Sequence, residues 1–183
     1  MDGFYERIAQ STAHRASREE NARIVGIHPP LLPELFAMAY SVSDKNHHKA
    51  CWVLELFLEN DIQLIRPELD SFCRQLSKWK ADGAVRSVSK IVLMAAQDHN
   101  REANDGRGFL SEQHIGAFTE NCFDWLIGEA KVASKAYAMR ALLALGKSES
   151  WIYHDLKRIL SDDFHKHSAG YQSAARAVLK KIR

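Results

Sequence analysis

Apolar residues recur along this chain at helical spacing almost from end to end. Ala50, Val53, Leu54, Phe57 and Leu58 fall at i, i+3, i+4, i+7 and i+8. Ile65, Leu69, Phe72, Cys73 and Leu76 follow the same rhythm, as do Ile115, Phe118, Cys122, Trp125 and Leu126. Tyr171, Ala174, Ala175, Val178, Leu179 and Ile182 close the series. Each stripe suits a helix that buries one face. No segment alternates apolar and polar residues between hairpin turns, as a half-buried strand would. The pattern predicts helices over 3–13, 18–27, 31–41, 45–59, 64–79, 83–102, 111–127, 129–145, 149–162 and 168–182.

Start and stop signals agree with these elements. All four prolines, Pro29, Pro30, Pro33 and Pro67, lie in the first part of the chain, and Pro67 suits a first helical turn, where its missing N–H costs nothing. Ser17 and Glu20 form a candidate capping box, and Leu110, Ser111 and Ile115 fit a hydrophobic staple around an N-cap. Gly83, Gly128, Gly146 and Gly170 stand near helix junctions. The longest interruption, Asn100 to Gly108, is polar and glycine-bearing, and a mobile loop is expected within 100–110.

The helices fall into pairs with short links, and the second helix of each pair opens alike. Asp44 leads to Lys49, Asp82 to Arg86 and Glu129 to Lys135, and Arg176 holds the corresponding place in the last pair. The basic positions 49, 86, 135 and 176 are 37, 49 and 41 residues apart. These steps bracket the roughly 40–47-residue HEAT/armadillo period, with the 100–108 insertion accounting for the long one. One helix pair cannot cover its own apolar face, and stacking pairs makes the core continuous. The expected fold is all-α: stacked antiparallel helix pairs in a HEAT/armadillo-like α-α superhelix, as a single domain over 1–183. A compact helical bundle with similar stripes is the alternative.

Composition narrows this little further. With 183 residues, 46% hydrophobic and 26% charged, the chain can build a core without staples. A net charge of +2 permits an anionic partner without requiring one. Cys51, Cys73 and Cys122 match no zinc or redox spacing and read as small core residues in a reducing compartment. The opening Met1–Glu6 is acidic and holds no apolar segment, and no apolar run approaches 18 residues. Neither a leader peptide nor a membrane span is expected, and a cytoplasmic location is.

The segments Ala50–Glu55, Cys122–Gly128 and Lys131–Tyr137 resemble a family of small bacterial helical proteins, from about residue 18 onward. Its members are often labelled adenylosuccinate lyase or uncharacterised, and the resemblance implies no catalytic residues. Enzymes of the lyase superfamily use a mobile serine-containing signature loop, in a glycine/methionine/lysine context, that this chain lacks, so that activity is not carried over.

Three sets of residues could carry chemistry. Lys49, Arg86, Lys90, Lys135 and Arg176 could line one face of the second helices and meet phosphates or an acidic protein surface. They could equally pair with Asp44, Asp82, Asp124 and Glu129 and serve only the fold. Trp52, Trp79, Trp125 and Trp151 read first as core; Trp52 and Trp125 are the candidates for an aromatic groove. His47 and His48 point about 100° apart on a helix, while His165 and His167 with Asp162 and Asp163 offer at most a weak metal site. No phosphate loop, nucleophile elbow or H-E-x-x-H motif occurs. No cofactor and no metal are expected. The function expected is a non-enzymatic interaction or scaffold module that binds a protein partner, an acidic or amphipathic segment, in a groove lined by second helices. Nucleic-acid binding or DNA maintenance through a basic concave face is the alternative.

Overall fold

A computed structural model of the chain describes residues 3–182. Among them are ten α-helices, three short 3-10 segments and no strand. The helices are α1 (Phe4–Ala9), α2 (Arg15–Ile27), α3 (Leu31–Tyr40), α4 (His47–Asn60), α5 (Leu69–Gln75), α6 (Asp82–Ala103), α7 (Glu112–Ile127), α8 (Val132–Leu145), α9 (Trp151–Asp163) and α10 (Ala169–Leu179). They form two compact units, Met1–Ile91 and Val92–Arg183, whose boundary falls inside α6. Among the described residues no helix is long and apolar enough to cross a membrane.

In the first unit α4 is the central element, contacted by α1, α2 and α3. Ala50, Cys51, Val53, Leu54, Leu56 and Leu58 are all buried, because a helix packed on several sides has no free face. Trp79 closes this core; its indole N–H donates to the Ala39 carbonyl at 2.9 Å. In the second unit α8 holds the corresponding place, packed by α7, α9 and α10. Ala138, Met139, Ala141, Leu142 and Leu145 are buried there, and three of these five are larger than alanine.

Several ends differ from the expectation for identifiable reasons. The helix expected over 64–79 is broken: a 3-10 segment Ile62–Glu68, then α5, then a second 3-10 segment Leu76–Lys78. Pro67 disfavours the α conformation at Arg66 and lacks the N–H that would continue the ladder, so the chain winds tightly before it. Pro67 therefore lies inside the 3-10 segment, one residue before its end, instead of opening an α-helix. Asp61 caps that segment by accepting from Gln63 N–H at 2.9 Å. α2 begins at Arg15, so Ser17 lies in its first turn and accepts from Thr12 N–H at 3.1 Å, while Glu20 pairs with Arg23; no capping box forms there. α7 does carry one, with Ser111 accepting from His114 N–H at 3.3 Å and His114 Nδ1 accepting from Ser111 N–H at 3.2 Å.

Within the 100–110 stretch α6 continues to Ala103 and ends in a left-handed glycine. Gly106 has φ 74°, Gly106 N–H donates to Ala103 O at 3.0 Å, and Arg107 N–H donates to Glu102 O at 2.9 Å. That pair of bonds is a Schellman closure, which needs a residue free to adopt positive φ. Downstream, Leu110 N–H donates to His99 Nδ1 at 2.9 Å and ties the returning chain to α6.

Candidate functional site

The five basic residues of the expected ridge are held in different ways. In the first unit the Lys49 ammonium donates to the Ala9 carbonyl at the end of α1. A cation there meets the negative end of the helix dipole. Arg86 and Lys90, on α6, converge on Glu55 of α4, a carboxylate only 1% exposed. Lys90 Nζ lies 3.0 Å from Glu55 and also binds Glu59; Arg86 lies 3.5 Å from Glu55; Ser87 Oγ donates to it at 2.5 Å. Burial alone would lower the Lys90 pKa, but the hydrogen bonds and charges of Glu59 and Glu55 outweigh it and the net shift is upward.

In the second unit Lys135 is buried, and its ammonium donates to Leu126 O at 2.9 Å and Gly128 O at 2.7 Å. It caps the C-terminus of α7, and burial lowers its pKa. A charge-assisted bond of this kind contributes about 1.5–3 kcal/mol. Arg176 is exposed, with its guanidinium carbon 5.5 Å from the centre of the Phe164 ring. The partners anticipated from sequence were carboxylates nearby in the chain. Asp44 instead accepts from the Tyr5 hydroxyl at 2.8 Å and from Asn46 N–H at 2.6 Å.

The aromatic candidates are packed. Trp125 is 8% exposed. Trp52 is half-buried with its indole against Gly83, where an added Cβ would stand 2.8 Å from Nε1. The tryptophan with an open face is Trp151, 52% exposed. His165 meets Phe164 edge-on, and His167 stacks on Tyr171 with ring centres 4.0 Å apart. Asp163 pairs with Lys166 at 2.8 Å. Cys51 and Cys122 are buried free thiols whose pKa values burial drives up, and Cys73 is pushed up to about 12 for the same reason.

Among the surface grooves are one of about 290 Å³ in the first unit, lined by Tyr5, Met38, Asp44 and His47 among others, and two in the second unit. The first of these two, of about 330 Å³, lies on the last turns of α6 and on α8 and α10. Arg140, Lys147 and Lys181 line it, all exposed and none ion-paired among the described residues, together with Gln97 and Asn100. Asn100 is oriented by donating to Ala144 O at 2.8 Å. Among the described residues no carboxylate lines this groove. Sequence reasoning missed these cations, yet a signal was present: 140, 143 and 144 share one face of α8 through the i, i+3, i+4 rule, and Lys147 follows in the turn just past its end. Lys135, five residues before Arg140, points to a different side. The second groove, about 490 Å³, lies on α7 and the start of α9 around Phe123 and Trp151. Set against known proteins, the chain matches no family model, no curated protein and no solved structure.

Proposed function

We propose that this protein is a non-enzymatic interaction module, built of helix pairs stacked in HEAT/armadillo fashion, that binds an acidic segment of a partner protein. The observation that carries the reading is the cluster of Arg140, Lys147 and Lys181 around one groove that, among the described residues, no carboxylate lines. Their charged ends have no ion-pair partner among the described residues, unlike those of Lys90 and Arg86. The groove lies on α6, α8 and α10, the second helices of successive pairs, which in stacked repeats form the binding face. Contacts of α2 with α4 and of α8 with α10 suit such layering. Likeness to small bacterial helical proteins fits the same picture, since Ala50, Cys51, Val53 and Leu54, and likewise Cys122, Trp125 and Leu126, are core residues and Lys135 is a cap. Three unbridged cysteines suit a reducing, cytoplasmic setting.

A protein partner is favoured over nucleic acid because three cations make a small footprint, where phosphate-backbone binders typically engage about 6–10 phosphates. The test is fluorescence anisotropy with a labelled Asp/Glu-rich 14-residue peptide and a labelled oligo(dT) of equal length. The peptide binds the wild-type chain, and the R140E/K181E double variant weakens it at least ~10-fold with unchanged helical circular dichroism, as expected when exposed attractions of about 0.2–1 kcal/mol each turn repulsive. Equal binding by wild type and variant overturns the assignment. Binding of the oligonucleotide in preference to the peptide replaces it with the nucleic-acid reading.

A further inference from the structure

The groove on α7 and the start of α9 has the opposite character. Its apolar side is aromatic: Phe123 and Trp151 stack with ring centres 6.2 Å apart and planes 23° from parallel, and the outer face of Trp151 is left to solvent. The groove has open space over α7. A Cβ added at Gly116 would meet no atom within 4 Å. Around this surface stand Glu112, Glu120 and Glu149, all exposed and none ion-paired among the described residues, and no Lys or Arg lines the groove. Thr119, also lining it, is 4% exposed, yet its buried hydroxyl has no hydrogen-bond partner among the described residues. A buried polar group without a partner is costly and uncommon, and it marks a place where a further donor or acceptor would be satisfied.

From these features we infer that the α7–α9 groove receives a basic amphipathic segment of a partner protein. Its apolar residues cover Ile115 and the open strip at Gly116. Its Lys or Arg side chains lie over the face of Trp151 and between the three glutamates. A cation above a tryptophan face is attracted by the ring quadrupole, and nearby carboxylates add to that attraction. The same carboxylates repel phosphate groups and anionic lipid, which selects a basic polypeptide over a nucleic acid or a membrane surface. Glu112, Gly116, Glu120 and Phe123 follow one another along α7 at i, i+4, i+8 and i+11. They span about 16 Å at 1.5 Å per residue. Roughly three turns of an incoming helix match that length, the helix-in-groove mode of recognition. This site shares no residue with the basic groove, so each can fail without the other.

The experiment uses the full chain and a labelled amphipathic 14-residue Lys/Leu peptide, with its Glu/Leu counterpart as control. Binding is followed by anisotropy and by the emission of Trp151, the most exposed tryptophan. The wild type binds the Lys/Leu peptide, and the R140E/K181E variant, whose basic groove no longer attracts an acidic peptide, binds the Lys/Leu peptide and not the Glu/Leu one. E120K/E149K weakens binding at least ~10-fold, and so does Gly116→Phe, which fills the groove from a position with room for a side chain. R140E/K181E leaves it unchanged. Should E120K/E149K misfold, Gly116→Phe decides alone, because replacing a helical glycine favours the helix. The inference is overturned if the Lys/Leu peptide binds both groove variants as well as the wild type, if the Glu/Leu peptide binds the R140E/K181E variant equally well, or if the Lys/Leu peptide does not bind. A concentration-dependent dimer in sedimentation that Gly116→Phe abolishes also overturns it, by assigning the groove to a second copy of the chain.

Discussion

Glu55 shows how much a single buried charge can depend on its neighbours. A carboxylate 1% exposed is tolerable only if its charge is matched, and Lys90, Arg86 and Ser87 all turn toward it from α6. Replacing Glu55 by Ala leaves Lys90 to Glu59 alone and opens a polar void. Urea unfolding should show a loss of roughly 3–5 kcal/mol, the usual cost of breaking a buried pair from one side. Ser87→Ala, which removes one neutral donor, should cost only about 1 kcal/mol. At this scale the residue types were legible and their partners were not. Lys90 and Arg86 were readable as basic residues early in a second helix, but their partners come from α4, 31 to 35 residues away, and no local spacing rule reaches that far.

Among the elements, the end of α6 is the most informative. His99 Nδ1 accepts the Leu110 N–H, so that nitrogen must be unprotonated for the returning strand of chain to stay docked. Burial lowers the His99 pKa below its ordinary 6.5. The unfolded chain therefore binds a proton at higher pH than the folded one. The contribution to stability is full above about pH 6.5 and is lost as pH falls through the lowered folded value. Amide exchange at Leu110 should accelerate from pH 7.5 to 5 more than the exchange chemistry alone dictates, and His99→Gln should flatten that extra dependence. Exchange at Leu110 that shows no such excess would mean the bond does not hold the segment. Helix existence was readable from periodicity for nearly every element, and so was the Ser111 cap. The broken stretch after Asp61 was not, because its apolar stripe continues unchanged across Pro67, and the proline's local geometry overrides it.

For the molecule as a whole, a net charge of +2 conceals a strong local separation of sign. Within the second unit, among the described residues, one groove carries three cations without an ion-pair partner and another three such carboxylates. Fields of this kind act over about a Debye length, roughly 10 Å at 0.1 M salt and about 3 Å at 1 M. Binding of the Asp/Glu-rich peptide should therefore weaken several-fold between 0.05 and 0.5 M NaCl, while the Lys/Leu peptide, held partly by apolar contact, should weaken less. An equal slope for both in anisotropy titrations would argue that the aromatic surface contributes nothing. The sequence by itself determined the all-helical class and most of the core, because hydrophobic periodicity is a local property that every turn repeats. It also showed where the basic residues stand along each helix. Only the tertiary structure decided which of them remain available. Lys135 and Arg140 lie on one helix five residues apart, yet one amine is spent on the end of α7 and the other guanidinium faces a groove. Periodicity can say that two residues point different ways, but which side meets a neighbour is settled by helices distant in sequence, whose contacts set where each charge is desolvated and paired.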